Sequence, residues 1–139
     1  MRWLLDTHLL LWAASDSARL PSEVRALLEE EANAPVFSVA SIWEIVIKRG
    51  LGRDDFRVDP RVLRRGLLDN GYEELPVLGH HAVAVDALPP LHRDPFDRLL
   101  VAQSLTEGMM LLTADPMVAR YPGPVRMVQA PRVGADRLP

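Results

Sequence analysis

Short apolar runs alternate with helix-patterned stretches along this 139-residue chain, and that alternation constrains its folding more than any other feature. It predicts an α/β fold with a mainly parallel central sheet of four to five strands. Arg2–Asp6 reads as a first strand and His8–Ala14 as a short apolar helix. Pro21 opens a helix to about Ala32, with Val24, Leu27 and Leu28 on one face. Pro35–Val39 is a buried strand, and a helix starting at Ser38 or Ser41 runs to Arg49, where Gly50 is the expected stop. After a charged loop over 52–59, the pattern gives a helix Pro60–Asn70, a strand Glu74–Leu78 and a helix His80–Leu88. Pro95–Glu107 is the strongest helix, ended by Gly108. A strand Met109–Thr113, a short helix Pro116–Tyr121 and an edge strand Val125–Val128 complete one expected domain, 1–129, with 130–139 as a tail.

Composition removes several chemistries. With no cysteine there is no disulfide, thiol nucleophile or iron–sulfur cluster. Fifteen of the 16 basic residues are arginine, so an amine-dependent mechanism has only Lys48 or the N-terminus. No apolar run approaches the roughly 20 residues of a membrane span. Met1–Leu5 meets Asp6 too soon for a signal-peptide core, so a cytoplasmic protein without a membrane partner is expected. The formal charge of −3 weighs against nonspecific nucleic-acid binding, which relies on basic surface.

The placement of the acids matters more than their number. Asp6 and Asp115 fall at the expected C-terminal ends of strands, the rim where open parallel sheets bind ligands. Glu44 and Asp97 fall in the first turns of helices that follow strands and begin near the same rim. Four distant segments thus offer carboxylates to one place. Such a cluster repels itself unless a cation compensates. Oxygen donors of this kind suit Mg²⁺ or Mn²⁺. One or two such ions can activate water for phosphodiester hydrolysis without a side-chain nucleophile. Helix capping is the competing reading: Asp94-Pro95 and Asp115-Pro116 both have the form of helix starts, and Ser41-Ile42-Trp43-Glu44 matches a capping box. Asp6, closing an apolar strand, has no such capping explanation in the sequence.

Four blocks taken together resemble the PIN-domain proteins, most closely the VapC-type toxin branch of toxin–antitoxin systems. They are Met1–His8, Ser38–Ile45, Leu88–Leu100 and Leu112–Asp115, and the resemblance covers about residues 1–128. It implies a three-layer α/β/α domain and a Mg²⁺- or Mn²⁺-dependent endoribonuclease. Asp6, Glu44, Asp97 and Asp115 match the metal-binding, catalytic acids, and Asp94 matches an additional acid near the site. Thr7 and Thr113 match positions that support the metal or its water. The resemblance also implies an RNA substrate, a homodimer and a cognate antitoxin protein. Ser104, where alanine is usual, and the tail depart from the pattern without touching the acids.

Other residues carry weaker expectations. Arg93, Arg98, Lys48 and Arg49, with Arg53 behind them, are candidate phosphate contacts because they neighbour the acids. His92 is read as structuring its loop, and His8 as an unneeded base. Trp3, Trp12 and Trp43 are read as core, with Trp12 the one suited to an interface. A PIN-like DNA-directed structure-specific nuclease is an alternative, disfavoured by the short length. A non-hydrolytic, Mg²⁺-binding receiver module wants paired acids after the first strand and a lysine after a late strand. A haloacid-dehalogenase-type phosphatase wants a second aspartate two places after Asp6, where His8 stands. Setting the four acids aside leaves fifteen acids against sixteen bases, so the remaining chain is slightly basic.

Overall fold

The computed structural model describes residues 1–129; the expected tail 130–139 lies outside them. Five strands form one sheet: β1 (Arg2–Leu5), β2 (Ala34–Ser38), β3 (Glu73–Leu75), β4 (Met110–Thr113) and β5 (Val125–Met127). Their order is β3-β2-β1-β4-β5 and every pairing is parallel. The helices are α1 (Thr7–Ala14), α2 (Ser22–Glu29), α3 (Val39–Gly50), α4 (Pro60–Asp69), α5 (Gly79–Ala84) and α6 (Pro95–Glu107).

Side chains alternate across the strands, and this splits the core into two layers. Trp3, Leu5, Phe37 and Leu112 face one cluster, closed by Leu9 and Leu10 of α1, Val24 of α2, and Leu63 and Leu67 of α4. Leu4, Val36 and Leu111 face the other, closed by Leu100, Val101 and Ala102 of α6 and flanked by Ala84 of α5. Helix α3 serves both, through Ile45 and Ala40. Full burial of each such leucine contributes about 2 kcal/mol, so the strands are held from both faces. The result is the expected α/β/α sandwich.

Local chemistry moved several boundaries. Helix α2 stops at Glu29 rather than Ala32, since Glu29-Glu30-Glu31 puts negative charge at the negative end of the helix dipole. Helix α3 starts at Val39 with Ser38 as cap, so the Ser41–Glu44 capping box does not form; both residues lie inside the helix. Gly50 belongs to α3, and the left-handed residue beyond it is Gly52. Strand β3 ends at Leu75 because Pro76 has no N–H for the ladder. Asp94, Pro95 and Gly108 delimit α6 as expected, Asp94 accepting from two backbone amides and Gly108 taking φ 65°.

The strand order reverses direction between β1 and β4. Connections from β1 lead outward one way through β2 and β3, while β4 and β5 lie on the other side. The C-terminal edge at that switch point is where a parallel sheet opens a crevice. Asp6 leaves β1 and Asp115 follows β4 at this point.

Candidate metal centre

The acids at the crevice are held in place by fixed hydrogen bonds. Asp6 Oδ1 accepts from the Leu9 amide at 2.9 Å, so Asp6 caps α1, a role its strand-end position had concealed. Asp6 Oδ2 accepts the Thr113 hydroxyl at 2.6 Å. The same hydroxyl oxygen accepts the Asp115 amide at 3.0 Å, and Asp115 Oδ1 accepts from the Met117 amide at 2.8 Å. Glu44 Oε1 accepts the Thr7 hydroxyl at 2.6 Å, and Ser41 Oγ lies 3.0 Å from the same threonine. Asp94 Oδ1 accepts from the Phe96 and Asp97 amides, which turns α6 toward the crevice with Asp97 in its first turn. Capping and clustering are therefore compatible: one oxygen of Asp6, Asp94 and Asp115 anchors a backbone amide, and the other turns toward side chains of the site, Thr113, Lys48 and His92 respectively.

One ammonium and one imidazole sit among them. Lys48, one turn after Glu44 on α3, donates to Glu44 Oε2, and its ammonium is 3.6 Å from Asp94 Oδ2. His92 Nε2 is 2.9 Å from Asp97 Oδ2 and 3.8 Å from Asp115 Oδ2. Glu44 and Asp6 are almost fully buried, at 2% and 5% exposure. A cleft of about 300 Å³ opens onto the centre between Asp6, Asp115, His8, Trp12, Arg19 and Asp55.

Burial and mutual repulsion set the electrostatics. Burial first, then the charges of Asp94, Glu44 and Asp6, push the Asp97 carboxyl up to about 7 against the lowering effect of the His92 hydrogen bond. Burial also raises the Asp6 carboxyl, despite the bonds from Thr113 and Leu9. Burial would lower the Lys48 amine, but its bond to Glu44 and the charges of Glu44, Asp94 and Asp97 outweigh this and raise it. The metal-free cluster is thus short of positive charge at Asp6 and Asp97. A donor set of hard carboxylate oxygens with that deficit fits a divalent cation.

The basic residues divide. Arg93 and Arg49 are exposed, free of any bond among the described residues, and remain suited to phosphate. Arg98 instead donates to Pro89 O, Val85 O and the Tyr121 hydroxyl, which binds it to the preceding loop. Lys48 is engaged by Glu44, which corrects its reading as a free phosphate donor. Its i, i+4 spacing from Glu44 was the available signal. Arg53 pairs with Asp55 at 3.6 Å and lies over Phe56. His92, read as structuring its loop, aims its ring into the centre, and nothing in its sequence neighbourhood announced that. Trp43, read as core, is 57% exposed.

Comparison with known proteins bears on the fold. The fold is shared with a chain of the VapBC2 complex from Rickettsia felis bound to a DNA fragment from their promoter. That likeness has a TM-score of 0.68 at 14% identity and covers 94% of this chain and 100% of the other. DNA-bound VapBC from Salmonella typhimurium gives a TM-score of 0.65 at 14% identity, over 93% of this chain and 98% of that one. VapBC-1 from nontypeable Haemophilus influenzae gives 0.57 at 15%, with the same coverage. Among curated protein sequences no relative matches. The PIN domain matches residues 3–124. Since that match spans most of its length, the chain belongs to the PIN domain family.

Proposed function

We propose that this protein is a divalent-metal-dependent endoribonuclease and the toxin of a VapBC-type toxin–antitoxin pair. The observation that carries the reading is the convergence of Asp6, Glu44, Asp97 and Asp115, from four segments, on the β1/β4 crevice of a PIN domain. Asp6, Asp97 and Asp115 would hold Mg²⁺ or Mn²⁺, with Glu44 and Asp94 beside them. When bound, the cation supplies charge neutralisation and an activated water for attack on phosphorus. The chain's own residues do the rest. Thr113 fixes the orientation of Asp6, and Thr7 that of Glu44. Arg93 and Arg49 offer exposed guanidinium groups to the flanking phosphates of RNA.

Two surfaces support the partner readings. A groove of about 870 Å³ runs between α1 and α4, walled by Leu11, Trp12, Val58, Val62, Leu67 and Tyr72, and reaches Arg19 and Asp55 at the mouth of the acidic centre. An antitoxin segment lying in it would block access to the acids. Exposed Trp43 and Val46 on α3, with Leu51 just beyond, give an apolar face suited to a homodimer. Among the described residues no helix is long and apolar enough to cross a membrane.

The test is cleavage of RNA and of structured DNA by purified protein with Mg²⁺ or Mn²⁺. RNA cleavage that EDTA stops, and that Asp6→Asn abolishes with the fold intact by circular dichroism, is the expected result. Cleavage of DNA alone would favour the structure-specific nuclease. Induced expression should arrest growth for the wild type and not for Asp6→Asn; normal growth with active soluble protein would remove the toxin role.

A further inference from the structure

His92 stands where a metal ligand would stand. Its Nε2 lies 2.9 Å from Asp97 Oδ2 and 3.8 Å from Asp115 Oδ2. Ligand atoms about 2.1 Å from one octahedral ion are separated by roughly 3.0 Å when adjacent and 4.2 Å when opposite. The 2.9 Å separation matches adjacent positions, and the 3.8 Å separation lies between the adjacent and opposite values. His92, Asp94 and Asp97 also bring one donor atom each within 4.8 Å of one another. The ring needs little movement to share an ion with the aspartates.

The loop around it does not depend on the imidazole. The His92 amide donates to the Tyr121 hydroxyl at 2.9 Å. That hydroxyl also accepts from Arg98 at 3.0 Å, and Arg98 ties down Pro89 O and Val85 O. Tyr121 is itself buried. The backbone is therefore clamped from below, and the side chain is left to face the acids. His92 Nε2 meets Asp97 in this structure, but no protein group among the described residues engages Nδ1, so on cation binding the proton can shift to Nδ1 and free the Nε2 lone pair. His81 makes the contrast. Its Nδ1 accepts from the Leu78 amide at 3.0 Å, so its Nε2 carries the proton given to Glu107 and has no lone pair to offer. The His80, His81 and Glu107 cluster is a structural knot, while His92 keeps a ligand's geometry.

We propose that His92 completes the metal centre through Nε2, making it a mixed nitrogen–oxygen site with Asp97 and Asp94 that favours transition-metal dications over Mg²⁺. The inference rests on the reading of the acids as a metal centre. Imidazole is a softer donor than carboxylate, and it gains relative affinity along the divalent transition series.

The experiment is Mn²⁺ binding followed by electron paramagnetic resonance, with pulsed detection of ¹⁴N coupling to the ion. The full chain should show a directly coordinated histidine nitrogen, which His92→Gln removes and His8→Gln leaves in place. His92→Gln should also weaken Mn²⁺ roughly tenfold or more, a loss at least of the size seen when outer-shell partners are removed, and weaken Mg²⁺ less. Mn²⁺ bound at a site lost in Asp97→Asn but without nitrogen coupling would overturn the proposal and spare the acidic centre. Loss of the coupling in His8→Gln rather than His92→Gln would also overturn it. Mn²⁺ binding that neither Asp6→Asn nor Asp97→Asn affects would overturn the acidic centre itself, and His92 with it.

Discussion

At one end of the acidic cluster Glu44 and Asp94 face Lys48; at the other, Asp97 and Asp115 face His92. The two ends differ in what compensates the carboxylates. An ammonium held by Glu44 is a compact cation, so that end is partly compensated within the protein itself. The other end has only an imidazole, and there the Asp97 carboxyl is pushed up to about 7 by burial and by the charges of Asp94, Glu44 and Asp6. Four carboxylates in one crevice are therefore not four equivalent ligands. The Lys48 end organises the centre, and the His92 end is where an external dication has most to stabilise.

The largest test of this asymmetry is charge removal at the open end. Asp97→Asn should abolish detectable RNA cleavage and metal binding, while raising the melting temperature of the metal-free protein, since a repelling carboxyl is gone. A fall in that melting temperature would mean that Asp97 is already compensated. At the closed end, Lys48→Met leaves Glu44 buried without its partner and should cost about 3 kcal/mol in denaturant unfolding. Added Mn²⁺ should recover part of the loss. If the variant kept wild-type stability without metal, the two ends would not differ as described.

Proton linkage gives an intermediate effect. The Asp97 carboxyl keeps its proton up to about 7 in the folded protein, whereas an ordinary aspartate loses it near 3.8. The folded state then binds more protons across that window, so the metal-free protein should lose stability as pH rises from 3.8 to about 7. Saturating Mn²⁺ should flatten the slope; a rise in metal-free stability through the window would contradict the assignment. The smallest expected effects come from the two threonines. Thr113→Val removes the hydroxyl that orients Asp6 and should weaken metal binding by about 10- to 100-fold. Thr7→Val, acting on Glu44 that Lys48 still holds, should change metal affinity much less in the same titration.

Much of the fold could be read from local pattern. The helix over Pro95–Glu107 was legible because its cap, its first-turn proline and its terminal glycine all agree. The strands β1 and β4 were legible as short apolar runs ending in an aspartate or threonine. What failed were places where a contact distant in sequence decides. Asp6 looked unable to cap anything because it closes a strand, yet α1 begins on the next residue. Trp43 looked like core from its apolar neighbours, but Ile42 and Ile45 turn inward while Trp43 and Val46 lie on an exposed face of α3. Arg98 looked like a phosphate donor until Pro89, Val85 and Tyr121 appeared around it.

By itself the sequence determined that carboxylates from four segments would meet at one edge of the sheet. A carboxylate after an apolar strand, or in the first turn of the helix that follows, is brought to the C-terminal edge of a parallel sheet by chain geometry alone. Only the tertiary structure decided how the charges pair. Strand order put β1 beside β4, so Thr113 reached across 107 positions to Asp6. The Tyr121 clamp turned His92 toward Asp97 and Asp115, and the α3 helix set Lys48 between Glu44 and Asp94. Electrostatic interaction falls off over a few ångströms, and spacing along a chain does not encode those distances until the sheet has assembled.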